Sequence, residues 1–265
     1  MTKGVYTMGK FVSLVKKEWH EYKLWAFLML FTGVFFIGIL PTFADRLPNW
    51  RLAQDDVRLA ILFVAVGGLY FTASIQFIIS LRKDIRIKEI WLHNSKNILT
   101  LIGAKFCFTI CWGTVISIIY GVASYFLGDA LYGELYQLIF FHLMVVVLSF
   151  YTITLFTITA LVFYTIYLQL KRYIGMASIV VTGLLFFLSI YGFEKASSSL
   201  IYEKLIYVGE ISLAPLEKFF PVAFNDPSPI VIVGHIYIFE EIFITAFLVA
   251  CFIAASKWIE RVITR

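Results

Sequence analysis

The residues that could do chemistry in this chain are few and scattered. The histidines His20, His93, His142 and His235 fall in different segments, and no two have the spacing of a metal-ligand pair. Cys107 and Cys111 stand four apart on one helical face, and Cys251 is remote from them. All three lie in apolar runs, where a thiol packs as a small hydrophobe and a disulfide framework is excluded. Gly4 and Gly9-Lys10 match the spacing of a phosphate-binding loop, but Phe11 stands where Ser or Thr would hold magnesium, and no strand can precede residue 4. Neither Gly-x-Ser-x-Gly nor His-Glu-x-x-His occurs. The chain is therefore not expected to be an enzyme by itself, nor to need a cofactor or a metal.

One titratable pair stands out by its position. Glu240 and Glu241 open the last apolar run, with 15 uncharged residues between them and Lys257. That is about 22 Å of helix, too short for a hydrocarbon core of about 30 Å, so the pair is expected to enter the outer part of the membrane. Successive helix positions differ by about 100°, so the two carboxylates cannot share one environment. One of them is then a candidate pathway residue facing a watery vestibule. The plainer reading is that both cap the outer end of a short helix after a re-entrant 230–239 segment.

The elements that must position these residues follow from composition. With 61% apolar and 15% charged residues, the chain has too little polar surface for a water-facing globule. Its net charge of +5 is spread between apolar stretches, which removes nucleic acid as a partner. Charge-free runs of about 20 residues or more predict an all-α polytopic membrane protein with six transmembrane helices, over about 25–44, 59–81, 106–128, 138–164, 173–193 and 236–256. The 36-residue run 135–170 is expected to be one long or tilted helix. Lysines and arginines alternate between connections, 16 of the 22 falling in the N-terminal segment, the second and fourth connections and the C-terminus. By the positive-inside rule both termini are cytoplasmic. A cleaved signal peptide ending at Thr42-Phe43-Ala44 is disfavoured by the 23 residues ahead of the apolar run.

Four connecting or packing segments invite a role. Residues 10–24 put Phe11, Leu14, Val15 and Tyr22 at helical spacing, with Glu18 among them, predicting an N-terminal amphipathic helix along the inner interface (residues 1–24). It would orient the first span or offer a surface to a cytoplasmic partner. The cytoplasmic connection 82–105 carries Ile85, Ile87, Ile90, Trp91 and Leu92 beside Lys88, Glu89 and His93, more large apolar residues than a solvated loop needs. A short helix broken at His93-Asn94-Ser95, with a new one from about Asn97, is expected. Docking of Trp91 into another protein's groove explains it better than docking to lipid headgroups. In the third span Gly113, Ser117, Gly121, Ser124 and Gly128 recur at intervals of three or four, leaving a nearly bare face for close packing against a helix of this or a partner chain. Residues 194–229 are expected outside, as two short amphipathic helices over about 197–208 and 213–220, forming a lid, a binding element or a passive cap.

This arrangement resembles the permease subunits of type 2 ATP-binding-cassette (ABC) exporters. Lys88-Glu89-Ile90-Trp91-Leu92-His93-Asn94 followed by Leu101-Ile102-Gly103-Ala104-Lys105 is similar to the Trp-Leu-His, then Leu-Leu-x-Ala-Lys pattern of such permeases in Gram-positive bacteria. The layout matches over the whole chain, the detail over about 20 residues; a proline often found after the Trp-Leu-His is absent. The resemblance implies a multi-pass plasma-membrane half-transporter without its own ATPase. Its partners would be two ABC ATPase subunits, a second permease chain in a homo- or heterodimer, and membrane lipids. Peptide antibiotics, with antimicrobial resistance as the outcome, lipids and cell-wall intermediates all fit as exported substrates. A secondary transporter, or a non-transporting accessory or sensor protein, remains open. The former should show buried ionisable residues and internal symmetry, neither of which is clear in the sequence.

Overall fold

The computed structural model describes residues 2–44, 54–87, 98–127, 135–213 and 235–264. Among them the elements run α1 (Thr2–Ala44), α2 (Gln54–Arg86), α3 (Ile98–Leu127), α4 (Leu135–Ile174), α5 (Ala177–Ser197), α6 (Leu200–Ile206), β1 (Glu210–Ser212), β2 (His235–Tyr237) and α7 (Ile238–Thr264). Six stretches are long and apolar enough to cross a membrane: Phe11–Leu40, Ile61–Arg86, Ile98–Ala123, His142–Ile174, Ala177–Ser197 and Ile238–Val262. The chain is a multi-pass, nearly all-helical membrane protein.

α1 is a single helix of 43 residues, about 64 Å long and twice the thickness of a hydrocarbon core. Sequence periodicity separates an interface helix from the first span near Leu24; the structure has no break there. Lys and Glu are good helix formers, so the change from polar to apolar composition does not interrupt the backbone. α4 is likewise one helix, of 40 residues. It ends at Gly175, whose φ of 59° suits a glycine, and α5 starts two residues later.

The chain divides into two compact units. Of the described residues, the first comprises 2–44, 54–81, 100–127 and 135–157. Its core joins Met29 and Ile37 of α1, Leu62, Val66, Leu69 and Tyr70 of α2, Ile110, Ile116 and Tyr120 of α3, and Ile153 of α4. Contacts fix the directions of its helices. Glu18 meets Lys105 and Met29 meets Tyr120, so α1 and α3 run parallel. Tyr70 meets Ser149 and Ser74 meets Thr157, so α2 and α4 run parallel. Ile153 lies against Gly113 and His142 against Gly121, so α3 and α4 are antiparallel.

Of the described residues, the second unit comprises 82–87, 98–99, 158–213 and 235–264. Within it α4 and α5 form a helical hairpin, with the Phe163 and Phe186 rings edge to face at 5.1 Å. Ser178 is the buried residue of α5, and most large side chains of α5 and α7 are exposed, as lipid-facing spans require. After α5 the structure departs from the expected helix pair. α6 is shorter than periodicity suggests, and Glu210–Ser212 pairs antiparallel with His235–Tyr237, Ile211 opposite Ile236. The stretch expected to hold a second helix lies almost wholly outside the described residues.

Candidate functional site

Among the described residues, a buried polar cluster lies in the first unit, where the apolar runs of α1, α2 and α3 meet their basic flanks. Glu18 and Lys105 are 3% and 2% exposed, and both bond to Ser80, which is also buried. Lys105 Nζ donates to Glu18 Oε1 at 2.6 Å and to Ser80 Oγ at 2.5 Å. Ser80 Oγ donates to Glu18 Oε2 at 2.6 Å. The triangle is closed: both carboxylate oxygens accept, and the hydroxyl both donates and accepts. Burial of an ion pair is tolerated on these terms, because desolvation is offset only when the partners' hydrogen-bonding capacity is met.

Each corner has a sequence cause. Lys105 directly precedes the charge-free run of α3, and Ser80 lies one residue before the end of the run in α2. Glu18 is reached because α1 continues as a helix beyond its own apolar run. Next to Glu18 on α1 and seven residues beyond Lys105 on α3, Trp19 and Trp112 pack edge to face at 4.9 Å with Phe27 beside them, fastening α1 to α3 again. With every group engaged inside the triangle, the arrangement suits a mechanical pin between three helices better than acid-base chemistry.

The predicted residues are distributed around this pin. Glu18 belongs to it, whereas Phe11, Leu14, Val15 and Tyr22 are half-buried along α1. Of the coupling residues, Ile85 is half-buried in the last turn of α2, and Ile87, just after it, is exposed. Lys88, Glu89, Ile90, Trp91, Leu92 and His93 lie outside the described residues. Asp84, in the same last turn, is 2% exposed. No buried ionisable residue is clear in the sequence, whereas the structure buries Glu18, Lys105 and Asp84. Flanking position in the sequence signals charge near a membrane boundary, and gives no sign that residues 87 apart would meet.

The small-residue face of α3 turns toward α4. A side chain added at Gly113 would have its Cβ 2.6 Å from Ile153 Cδ1, and at Gly121 3.0 Å from His142 Cδ2. Ser117 between them is fully buried and donates to the Gly113 carbonyl at 2.9 Å. Ser124 follows on α3, and Gly128 lies outside the described residues. A third close approach escaped the sequence reading. At Gly33 of α1 an added Cβ would overlap the Tyr120 ring, and the Tyr120 hydroxyl donates to the Met29 carbonyl at 2.6 Å. Between α2 and α4 the Tyr70 and Ser149 hydroxyls bond at 2.9 Å, and those of Ser74 and Thr157 at 3.4 Å. Cys107 and Cys111 have their sulfurs 3.9 Å apart on α3.

In the second unit Glu240 and Glu241 occupy the first turn of α7, where the helix N-terminus favours negative charge. Their surroundings differ. Glu240 is half-buried and accepts from the Tyr202 hydroxyl of α6 at 3.1 Å, while Glu241 is exposed. Tyr202 packs edge to face on Tyr207, which stacks on Tyr237 at 4.5 Å, and His235 Nδ1 lies 2.7 Å from Glu210 Oε1 across the strand pair.

Comparison with protein-family models, with curated proteins and with solved structures finds no match for this chain.

Proposed function

We propose that the chain is the permease subunit of an ATP-driven ABC exporter in the cell membrane. It works with two copies of a separate ATPase subunit and a second permease chain, both termini cytoplasmic, to move an amphipathic substrate such as a peptide antibiotic, a lipid or a cell-wall compound. It carries no ATPase of its own.

The observation that carries this reading is the position of the Glu18–Ser80–Lys105 triangle. Ser80 and Lys105 sit on the two helices that flank the connection bearing Trp91. A push on that connection reaches α2 and α3 at their bases, and the triangle passes it to α1. Three spans then move together, which is what a half-transporter driven from outside the membrane requires. A pin at the end of the spans, where the basic connections begin, serves such a drive.

Buried ionisable groups also fit a secondary transporter, whose coupling residues lie near the bilayer midplane. The triangle lies at the ends of the charge-free runs and not at their centres, which favours the ATP-driven reading. Vesicles containing the chain with its ATPase test the choice. ATP-dependent movement of substrate that survives collapse of the proton and sodium gradients is expected; movement abolished by that collapse and indifferent to ATP would overturn the proposal.

A further inference from the structure

The described part of the chain between α5 and α7 leaves several large apolar side chains exposed. On α6, Leu200, Ile201 and Leu205 are 74%, 72% and 64% exposed, and Val208, Ile211 and Ile236 of the following segment and strand pair are exposed too. Singly, such residues are ordinary on a surface; contiguous in so short a stretch, they mark an interaction face. A two-stranded pair of three residues each is also marginal in water without a supporting surface.

Two tethers set the depth of this face. At one end Ser198 and Ser199 alone separate the last residue of α5 from the first of α6, and Ser199 caps α6 by accepting from the Tyr202 amide at 3.2 Å. At the other end the first amides of α7, which have no partner within their own helix, are held by the turn before β1. Ile238 N–H donates to the Gly209 carbonyl at 3.2 Å and Phe239 N–H to the Val208 carbonyl at 3.3 Å. Gly209 makes this possible with a φ of 76°. Both spans begin or end at the membrane surface, so α6 and the strand pair are bound to that level. The last turns of α5, directly before them, also carry exposed apolar side chains, Tyr191 and Phe193.

We propose that α6 and the β1–β2 pair dock into the boundary between headgroups and acyl chains of the bilayer that the chain itself spans, with Ile201 and Leu205 in the acyl region. Apolar burial drives the docking and charge does not. In the described residues from 198 to 241, Glu203, Glu210, Glu240 and Glu241 stand against Lys204 alone among the Asp, Glu, Lys and Arg residues, so anionic lipid adds no attraction. Glu203 lies on the opposite face of α6 from Ile201 and Leu205, about 160 to 200° away around the helix, and faces water. The docked element holds Tyr202, and through it Glu240, at the membrane surface. This inference rests on the six spans and not on the transport reading.

The test uses the full chain in lipid nanodiscs, with Cys107, Cys111 and Cys251 replaced by Ser and a nitroxide attached after Ile201→Cys, Leu205→Cys or Glu203→Cys. Collision with oxygen, which concentrates in lipid, is compared with collision with a water-soluble nickel chelate. Oxygen should dominate at 201 and 205 and the chelate at 203, unchanged between zwitterionic discs and discs with a third of the lipid anionic. Chelate dominance at 201 and 205 would place the face in water. Exclusion of both reagents there would mean that protein covers it. Either result overturns the proposal.

Discussion

Replacing Lys105 by Met leaves Glu18 buried at 3% exposure without its cation. The ammonium's hydrogen bonds to Glu18 at 2.6 Å and to Ser80 at 2.5 Å are lost, while the Ser80 hydroxyl still donates to the other carboxylate oxygen. Removing one partner of a buried pair typically costs about 3 to 5 kcal/mol, and the surviving Ser80 bond places this site near the lower end. A loss of about 3 kcal/mol is roughly two decades in the ratio of folded to unfolded protein. Removing both charges, with Glu18→Leu and Lys105→Met together, leaves no Glu18 carboxylate without its cation and should cost about 1 kcal/mol for the Ser80 hydroxyl, which loses both of these partners. The measurement is reversible unfolding in mixed detergent micelles, completed as a double-mutant cycle. A single Lys105→Met variant within about 1 kcal/mol of wild type, or a double variant less stable than the single, would refute the argument that the pair is desolvated and mutually compensating.

Further outcomes follow from the close contacts and the acidic pair. Gly33→Ala drives a methyl group into the Tyr120 ring and breaks its bond to the Met29 carbonyl, so a loss of about 2 to 4 kcal/mol is expected in the same assay, against little change for Gly183→Ala, which meets open space. Ser117→Leu and Gly121→Leu should separate α3 from α4 and lower thermal stability in detergent, with Gly121→Leu displacing His142; wild-type stability for both would mean that the face can part without cost. For the acidic pair, Glu240→Gln weakens the bond from Tyr202 and should impair transport, while Glu241→Gln, which is exposed, should leave it intact. Two fully active variants would leave both carboxylates a purely structural role.

The spans were legible in the sequence because a bilayer demands about 20 uncharged residues in a row, a one-dimensional signal that needs no partner. The long helix through 135–170 was legible for the same reason, and the new helix expected near Asn97 appears at Ile98. The continuity of α1 was hidden, since a change of polarity near Leu24 leaves helical backbone unaffected. The closed triangle was hidden more deeply. Glu18 reads as one polar residue on an interface helix, Ser80 as the last hydroxyl of a span and Lys105 as a positive-inside flank; only tertiary packing brings them within hydrogen-bond reach. The small residues at 113, 117 and 121 announce a close contact by spacing, but α4 as the neighbour could not be read from it. The pairing of residues 210–212 with 235–237 spans too many intervening residues, and each strand is too short, for any periodic signal.

The central claim, that an external ATPase drives the chain through the connection between α2 and α3, is tested most directly by affinity purification of the chain from its native membrane. A soluble ABC ATPase should co-purify in stoichiometric amount with wild type and with Lys88→Ala. It should be largely lost with Trp91→Ala, because a desolvated aromatic anchor is commonly worth about 2 kcal/mol or more and a rim charge far less. Absence of any ATPase from the wild-type complex, or its undiminished retention by Trp91→Ala in a variant that remains folded, would contradict the account.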